Sequence, residues 1–374
     1  MKIERIDSFR FPVPFKQVFR HASASRAQAE NVIVALRSID GTVSYGEGCP
    51  RAYVTGETVA SATAFITQHR NSIVQRVRSL DDLRLWINDH GAEIDANPAA
   101  FCALELALLD FLGQAEGKSL EAVLGLPPLR GSFKYSAVLG DSGRLIYGLQ
   151  LRRYWKAGFR DFKIKVSGDR SRDRRKIAAF RRRGDADVRV RLDANNLWPI
   201  ADDCIAALQD LSFPLFAVEE PLHVGDLSGF ADVARACETR IILDESLTRA
   251  DQLGALDDPE LWIVNLRVSK MGGLLRSLAL VNELAHRGMG VIVGAQVGET
   301  SLLTRAGLTI AHAAAEHLEA MEGGFGTHLL QHDLTTPCLM FGDGGVMTSE
   351  NYLALAGPGL GLTVNASDLR AETP

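Results

Sequence analysis

Cysteine is scarce in this chain and arranged without pattern. Five occur in 374 residues (Cys49, Cys102, Cys204, Cys237 and Cys338), an odd number with no Cys-x-x-Cys pair. That argues against a disulfide framework and a thiolate zinc site, and for reduced thiols. A basic excess is also missing: 41 Lys and Arg stand against 46 Asp and Glu, for a net charge of −5. Nucleic acid and an anionic membrane are therefore not the expected partners. Met1-Lys2-Ile3-Glu4-Arg5 lacks the apolar run of a signal peptide, and no stretch reads as the roughly 18 apolar residues of a span. The expectation is a cytoplasmic protein, in which Asn365-Ala366-Ser367 carries no glycan. The nine histidines show no metal spacing; His312 and His317 are five apart and do not share a helix face. Gly357-Pro358-Gly359-Leu360-Gly361 neither follows a strand nor opens a helix, so it is no nucleotide loop.

What is present is a 46% apolar chain long enough for a barrel and a smaller unit. Residues 1–130 read as an α+β unit. Lys2 to Pro12 and Val32 to Ile39 alternate as strands do, and Phe101 to Asp110 forms a helical stretch so apolar that it must be buried. From about residue 131 to 335 the rhythm changes to short β-branched runs separated by amphipathic helices. The strand candidates are Tyr135–Leu139, Phe162–Val166, Val188–Asp193, Phe216–Glu219, Ile241–Asp244, Ile263–Arg267, Gly290–Val293 and His317–Glu322. Eight such units predict an α/β protein with a parallel (β/α)8 barrel. Residues 336–374 break the rhythm with Gly342-Asp343-Gly344-Gly345 and are expected to pack back on the first unit. The dense arginines of Arg170 to Arg183 read as the solvated face of a barrel helix.

Active sites of such barrels lie at the C-terminal strand ends. Here Lys163-Ile164-Lys165 ends the second strand, Asp193 the third, Glu219-Glu220 the fourth, Asp244-Glu245 the fifth and Arg267 the sixth. Any one acid there is ordinary. Three on consecutive strands would repel unless a hard divalent cation, Mg²⁺ or Mn²⁺, drew them together. Lys163 and Lys165 alternate onto one face, and two adjacent ammonium groups should lower each other's pKa toward that of a useful base. A lysine opposite a metal suggests abstraction of the proton α to a carboxylate, through an enediolate.

Lys163-Ile164-Lys165, Asp193-Ala194-Asn195, Glu219-Glu220-Pro221, Asp244-Glu245-Ser246 and Lys270-Met271-Gly272-Gly273, in this order and spacing, resemble the enolase superfamily, and within it the mandelate racemase/muconate lactonizing enzyme family. The resemblance implies Asp193, Glu219 and Asp244 as metal ligands, Lys165 as base and Lys163 as its electrostatic neighbour, with Glu220, Glu245 and Lys270 behind them. It also implies a modified barrel capped by the N-terminal unit, whose loops Phe19–Arg26 and Gly48–Gly56 place His21, Arg51 and Tyr53 over the substrate. Asn195, Gln296, Glu299 and Glu322 are further substrate-binding candidates, and family members are commonly homo-oligomers. One position departs from the pattern: Arg267 stands where the muconate subgroup has a second lysine. An arginine is a poor proton donor. The expectation is thus cycloisomerisation or β-elimination of a small carboxylate by Lys165 alone. Racemisation or epimerisation of an α-substituted carboxylate, such as an N-acyl amino acid, is the alternative. The Asp-x-Asp that dipeptide epimerases carry at the eighth strand is Met321-Glu322-Gly323-Gly324 here. A Schiff-base lyase using Lys165 and a non-catalytic binding protein are more distant alternatives.

Overall fold

The computed structural model describes residues 2–20, 25–185 and 187–371. Ile3–Phe11, Asn31–Ser38 and Val43–Gly48 form an antiparallel sheet with Asn31–Ser38 in the middle. On its outer edge Phe9 and Arg10 pair with Ala371 and Arg370, so both ends of the described chain meet in one sheet.

The helix Pro98–Glu116 lies across this sheet, and the sequence shows why it can. Gly46 and Gly48 alternate onto one strand face. A Cβ on Gly46 would stand 2.2 Å from the Ala103 carbonyl oxygen, and one on Gly48 would stand 1.9 Å from that of Ala99. Ala99, Ala103 and Ala107 recur every fourth residue and give the helix a matching smooth stripe. Hydropathy and length alone would let this helix cross a membrane, but 89% of its apolar window is buried inside the protein. It is a core helix, as its near-continuous apolar sequence requires.

The catalytic unit is an eight-stranded parallel sheet. Its strands are Ala137–Leu139, Asp161–Lys165, Arg189–Asp193, Ala217–Glu219, Arg240–Leu243, Trp262–Leu266, Gly290–Val293 and Leu318–Met321. They neighbour one another in chain order. Tyr135 bridges to Met321, and Ser136 donates its N–H to the Met321 carbonyl at 2.8 Å, which closes the eighth strand onto the first. The strand ends differ from the sequence reading by one or two residues. Asp244 and Arg267 sit just beyond their ladders rather than inside them.

Two-residue alternation sorts the barrel interior into layers. Ala217, Ile242, Ile263, Ile292 and Ala320 form a small apolar cluster of their own. Two residues further along the same strands stand Glu219, Asp244, Asn265, Gly294 and Glu322. The apolar layer therefore plugs the barrel below a polar one.

Two carboxylates from the cap cover the starts of barrel helices. Glu47 accepts hydrogen bonds from Thr300 N (2.9 Å), Thr300 Oγ1 (2.7 Å) and Leu303 N (3.2 Å), at the start of the helix Ser301–Ala313. Glu105 accepts from Leu274 N and from Leu275 N (3.2 Å), at the start of Leu274–Arg287. Both satisfy N–H groups that a helix cannot pair internally, while burial pushes their pKa up, to about 7 for Glu47 and about 8 for Glu105.

Candidate active site

Strand register builds the site. Lys165 pairs with Asp193, and Asp193 pairs with Glu219, so three consecutive strands present lysine, aspartate and glutamate side by side. Asp244 follows the fifth strand, adjacent to Glu219's. Lys165 and Asp193 line a cavity of about 650 Å³, and Glu219 and Asp244 are not in its lining but stand beside Asp193 and Arg267, which are. Lys163, Lys165, Asp193, Asn195, Arg267 and Glu322 line its charged end, with Glu245, Gln296, Glu299 and Tyr53. Val138, Ile146, Tyr154, Phe325, Leu329 and Leu330 supply an apolar wall.

The charges are densely paired. Lys163 Nζ lies 3.2 Å from Asp193 Oδ2, 2.7 Å from Glu219 Oε2 and 3.1 Å from Glu322 Oε2. Lys165 Nζ donates to Asp193 Oδ2 and Asn195 Oδ1, both at 2.9 Å. Arg267 is bound to Asp244 and donates to Gln296 Oε1 at 3.0 Å. Lys270, fully buried, donates to Asp244 Oδ1 (3.0 Å) and to the carbonyls of Asp244 (2.7 Å) and Asn265 (2.8 Å).

These pairings overturn one expectation. Lys163 does not titrate low beside Lys165: burial opposes its charge, but Asp193, Glu219 and Glu322 outweigh that and hold its pKa well above the ordinary lysine value. The depressed lysine is Lys270, pushed down to about 7 by burial and by the Arg267 guanidinium. Burial works against the charge of Glu322 too, yet Lys163 and Arg191 bring it down to about 2. Glu299 goes the other way, pushed up to about 8 by burial. Burial likewise raises Glu219.

Could the acids hold a divalent cation? Among the described residues, no three acidic, histidine or cysteine side chains already close around one point. Each of the three acids is turned to a cation instead. Yet one positive atom, Lys163 Nζ, already contacts both Asp193 and Glu219. Close by, Glu245 Oε2 and Asn265 Oδ1 are buried with no hydrogen-bond donor. Buried oxygens of this kind are costly unless a donor or cation meets them. An all-oxygen donor set with orphaned carbonyl and carboxylate oxygens suits Mg²⁺ or Mn²⁺.

The other sequence candidates divide. Glu220 faces away from Glu219, as strand alternation demands. Its oxygens accept from Asp244 N (2.6 Å), Ser246 N (2.8 Å) and Ser246 Oγ (2.6 Å), and they hold the fifth strand end in place. Its φ of 41° is the strained left-handed region, sustained by those bonds. Glu245 was expected behind the ligands but lines the cavity. Arg51 does not line it: fully buried, it donates to Asn31 Oδ1 and to the carbonyls of Glu30, Pro50 and Val297. It fastens the loop. His21 lies outside the described residues. Glu322 lines the cavity, but Lys163 (3.1 Å) and Arg191 (2.9 Å) occupy its two oxygens. Sequence reasoning missed Arg191. It alternates onto the face of Asp193, and that alone could have revealed it.

A closed parallel barrel with an acid rim, a lysine in register with it and a capping sheet defines a class of barrel enzyme. Residues 147–368 match the model of the enolase C-terminal domain-like family. The chain belongs to that family and, with it, to the enolase superfamily. It is 29% identical to the L-Ala-D/L-Glu epimerase of Bacillus subtilis (strain 168), across 100% of this chain and 99% of that one. The substrate-liganded structure of the B. subtilis epimerase superposes with a TM-score of 0.84 over 97% of this chain and 99% of that one, at 26% identity. A dipeptide epimerase from Methylococcus capsulatus, solved with Mg and L-Arg-D-Lys, gives 0.81 at 25% identity, over 97% of this chain and 100% of that one. An N-succinyl-L-Arg/Lys racemase of Bacillus cereus is 24% identical over 83% of this chain and 84% of that protein. These relatives favour the racemase or epimerase alternative over cycloisomerisation or elimination.

Proposed function

We propose that this chain is a racemase or epimerase that removes and returns the proton α to a carboxylate, acting on an N-acylated amino acid. The observation that carries this reading is the placement of Lys165 and Arg267 in one cavity, on strands two and six of an eight-stranded barrel. Four strands apart out of eight means opposite sides. A planar carbanion between them meets a cationic side chain on each face.

Lys165 is the base in this reading. Asp193 and Asn195 aim its Nζ, and Lys163, tied to three carboxylates, fixes the floor beneath it. Asp193, Glu219 and Asp244 would hold Mg²⁺, with Mn²⁺ as a substitute. When bound, such a cation supplies positive charge that offsets the charge developing on the substrate carboxylate. Arg267 would turn from Asp244 toward the substrate. The substituent follows from Glu322: both its oxygens are taken, so the eighth-strand wall offers no spare carboxylate to a free ammonium. An amide in place of the amine suits that wall and the apolar residues beyond it. The same proposal takes the enzyme to be cytoplasmic and homo-oligomeric.

Arg267 itself favours a second reading. A guanidinium does not readily give up a proton, so Lys165 would be the only base, and the outcome cycloisomerisation or β-elimination. Incubating each enantiomer of a series of N-acyl amino acids with enzyme and Mg²⁺ in D2O separates the two. Deuterium entering both enantiomers, with interconversion, supports racemisation. Exchange of one enantiomer only, without interconversion, sinks it in favour of the one-base reading.

A further inference from the structure

The helices Arg144–Lys156 and Arg170–Arg181 flank a groove of about 280 Å³ outside the catalytic cavity. Arg144, Arg172, Arg175, Lys176 and Arg182 line it together with Tyr147, and no carboxylate does. On a chain of net charge −5, three of these cations, Arg144, Arg175 and Arg182, have no ion-pair partner among the described residues, which leaves a local positive excess around one recess.

Surface arginines of barrel helices ordinarily find acids, and neighbours here do. Arg172 pairs with Asp141 at 3.1 Å, Lys176 pairs with Asp141 at 2.8 Å and Asp173 at 2.9 Å, and Arg174 pairs with Asp210. Arg144 and Arg182 have no ion-pair partner among the described residues, although like charges clustered in this way repel. A second, independent observation comes from the groove's inner wall. Tyr147 is only 5% exposed, and its hydroxyl has no hydrogen-bond partner. Burial beside Asp173 raises the phenol's pKa, so it remains a donor. A donor left buried without an acceptor is costly, and an anionic oxygen at this place would satisfy it.

We infer that this groove is a binding site for a phosphate or diphosphate group of a small molecule. Guanidinium forks bind phosphate oxygens in pairs, and this recess lies just below the usual size of a small-molecule pocket, as suits a charged headgroup. The site is contiguous with the catalytic unit. Ser142 lines both the groove and the catalytic cavity. Lys176, in the groove wall, donates to the carbonyl of Lys165 at 2.8 Å. A bound anion thus sits one residue from the backbone that carries the base.

Calorimetric titration of the full chain with inorganic diphosphate tests this. The expected result is saturable binding of one diphosphate per chain. Arg144→Gln combined with Arg182→Gln should weaken it about tenfold, and Tyr147→Phe about threefold, since each removes charge-assisted or single hydrogen bonds. Both changes should leave the circular dichroism melting curve in place, and Arg267→Met should leave the binding intact. Binding that disappears in Arg267→Met but survives Arg144→Gln/Arg182→Gln belongs to the catalytic cavity and overturns the inference. So does an absence of saturable binding. A third overturning result is capture of the protein by phosphatidylglycerol vesicles, abolished in the double variant, without any binding of soluble diphosphate.

Discussion

Lys163 and Glu322 meet across the seam of the barrel, with Nζ 3.1 Å from Oε2. The contact joins the second strand to the eighth, past the first strand between them. Arg191, from the third strand, holds the other Glu322 oxygen at 2.9 Å. One carboxylate thus ties three strands where the barrel closes. Both cations are almost wholly buried.

Removing that carboxylate takes one of three acids from buried Lys163, which keeps Asp193 and Glu219, and one of two from buried Arg191, which keeps Asp161. A lost bond of this buried kind costs more than a surface pair. Glu322→Gln should therefore lower the unfolding free energy by about 1–3 kcal/mol in urea titrations. A loss below about 1 kcal/mol, the range of exposed pairs, would mean that the seam is held by packing alone.

Lys165→Met should reduce α-proton exchange into D2O by about 10²–10⁴-fold, the usual worth of a positioned base. Magnesium affinity measured by calorimetry should stay within a few-fold. Asp193→Asn should do the reverse, weakening magnesium binding directly. If Lys165→Met retains full exchange, the base is another residue.

Arg267 is tested by charge and by chemistry separately. Arg267→Lys restores a group able to carry a proton, and the racemisation rate should persist or rise. Arg267→Met should lose interconversion while Lys165 still exchanges one enantiomer. Equal loss in both variants, through KM alone, would confine Arg267 to binding the substrate.

Glu299 gives a pH dependence with a definite sign. Its folded pKa of about 8 lies above the ordinary glutamate value of 4.5. The folded state therefore holds the proton more tightly than the unfolded state. Stability from this group is fully present below about pH 4.5, declines as pH rises, and stops declining above about pH 8. Glu299→Gln abolishes the effect. Its stability relative to the native protein should increase between pH 5 and pH 8 in paired urea denaturations, and a flat difference would contradict the raised value.

The barrel and its acid rim were legible because both rest on short-range rules. Strand alternation and βα spacing locate Asp193, Glu219 and Asp244 to within a residue of their ladders' ends. What was not legible depends on partners distant in sequence. Nothing near Arg51 says that Val297 and Asn31 will claim its guanidinium. Nothing near Lys163 says that Asp193, Glu219 and Glu322 will together hold its charge. The exchange of roles between Lys163, with its raised pKa, and Lys270, with its lowered one, has the same origin. Proximity of like charges along a strand is visible in sequence, but opposite charges arriving from across a barrel are not.

The two cap carboxylates set a limit on motion. Glu47 and Glu105 are each buried and each engaged with the start of a different barrel helix. Swinging the cap away as a rigid body would unseat both at once, leaving carboxyl groups and helix-end N–H donors without partners. The segment around Tyr53, which carries neither carboxylate, reaches the cavity from the cap. The part of the cap that meets the cavity thus lies outside the latches that hold its sheet to the barrel helices.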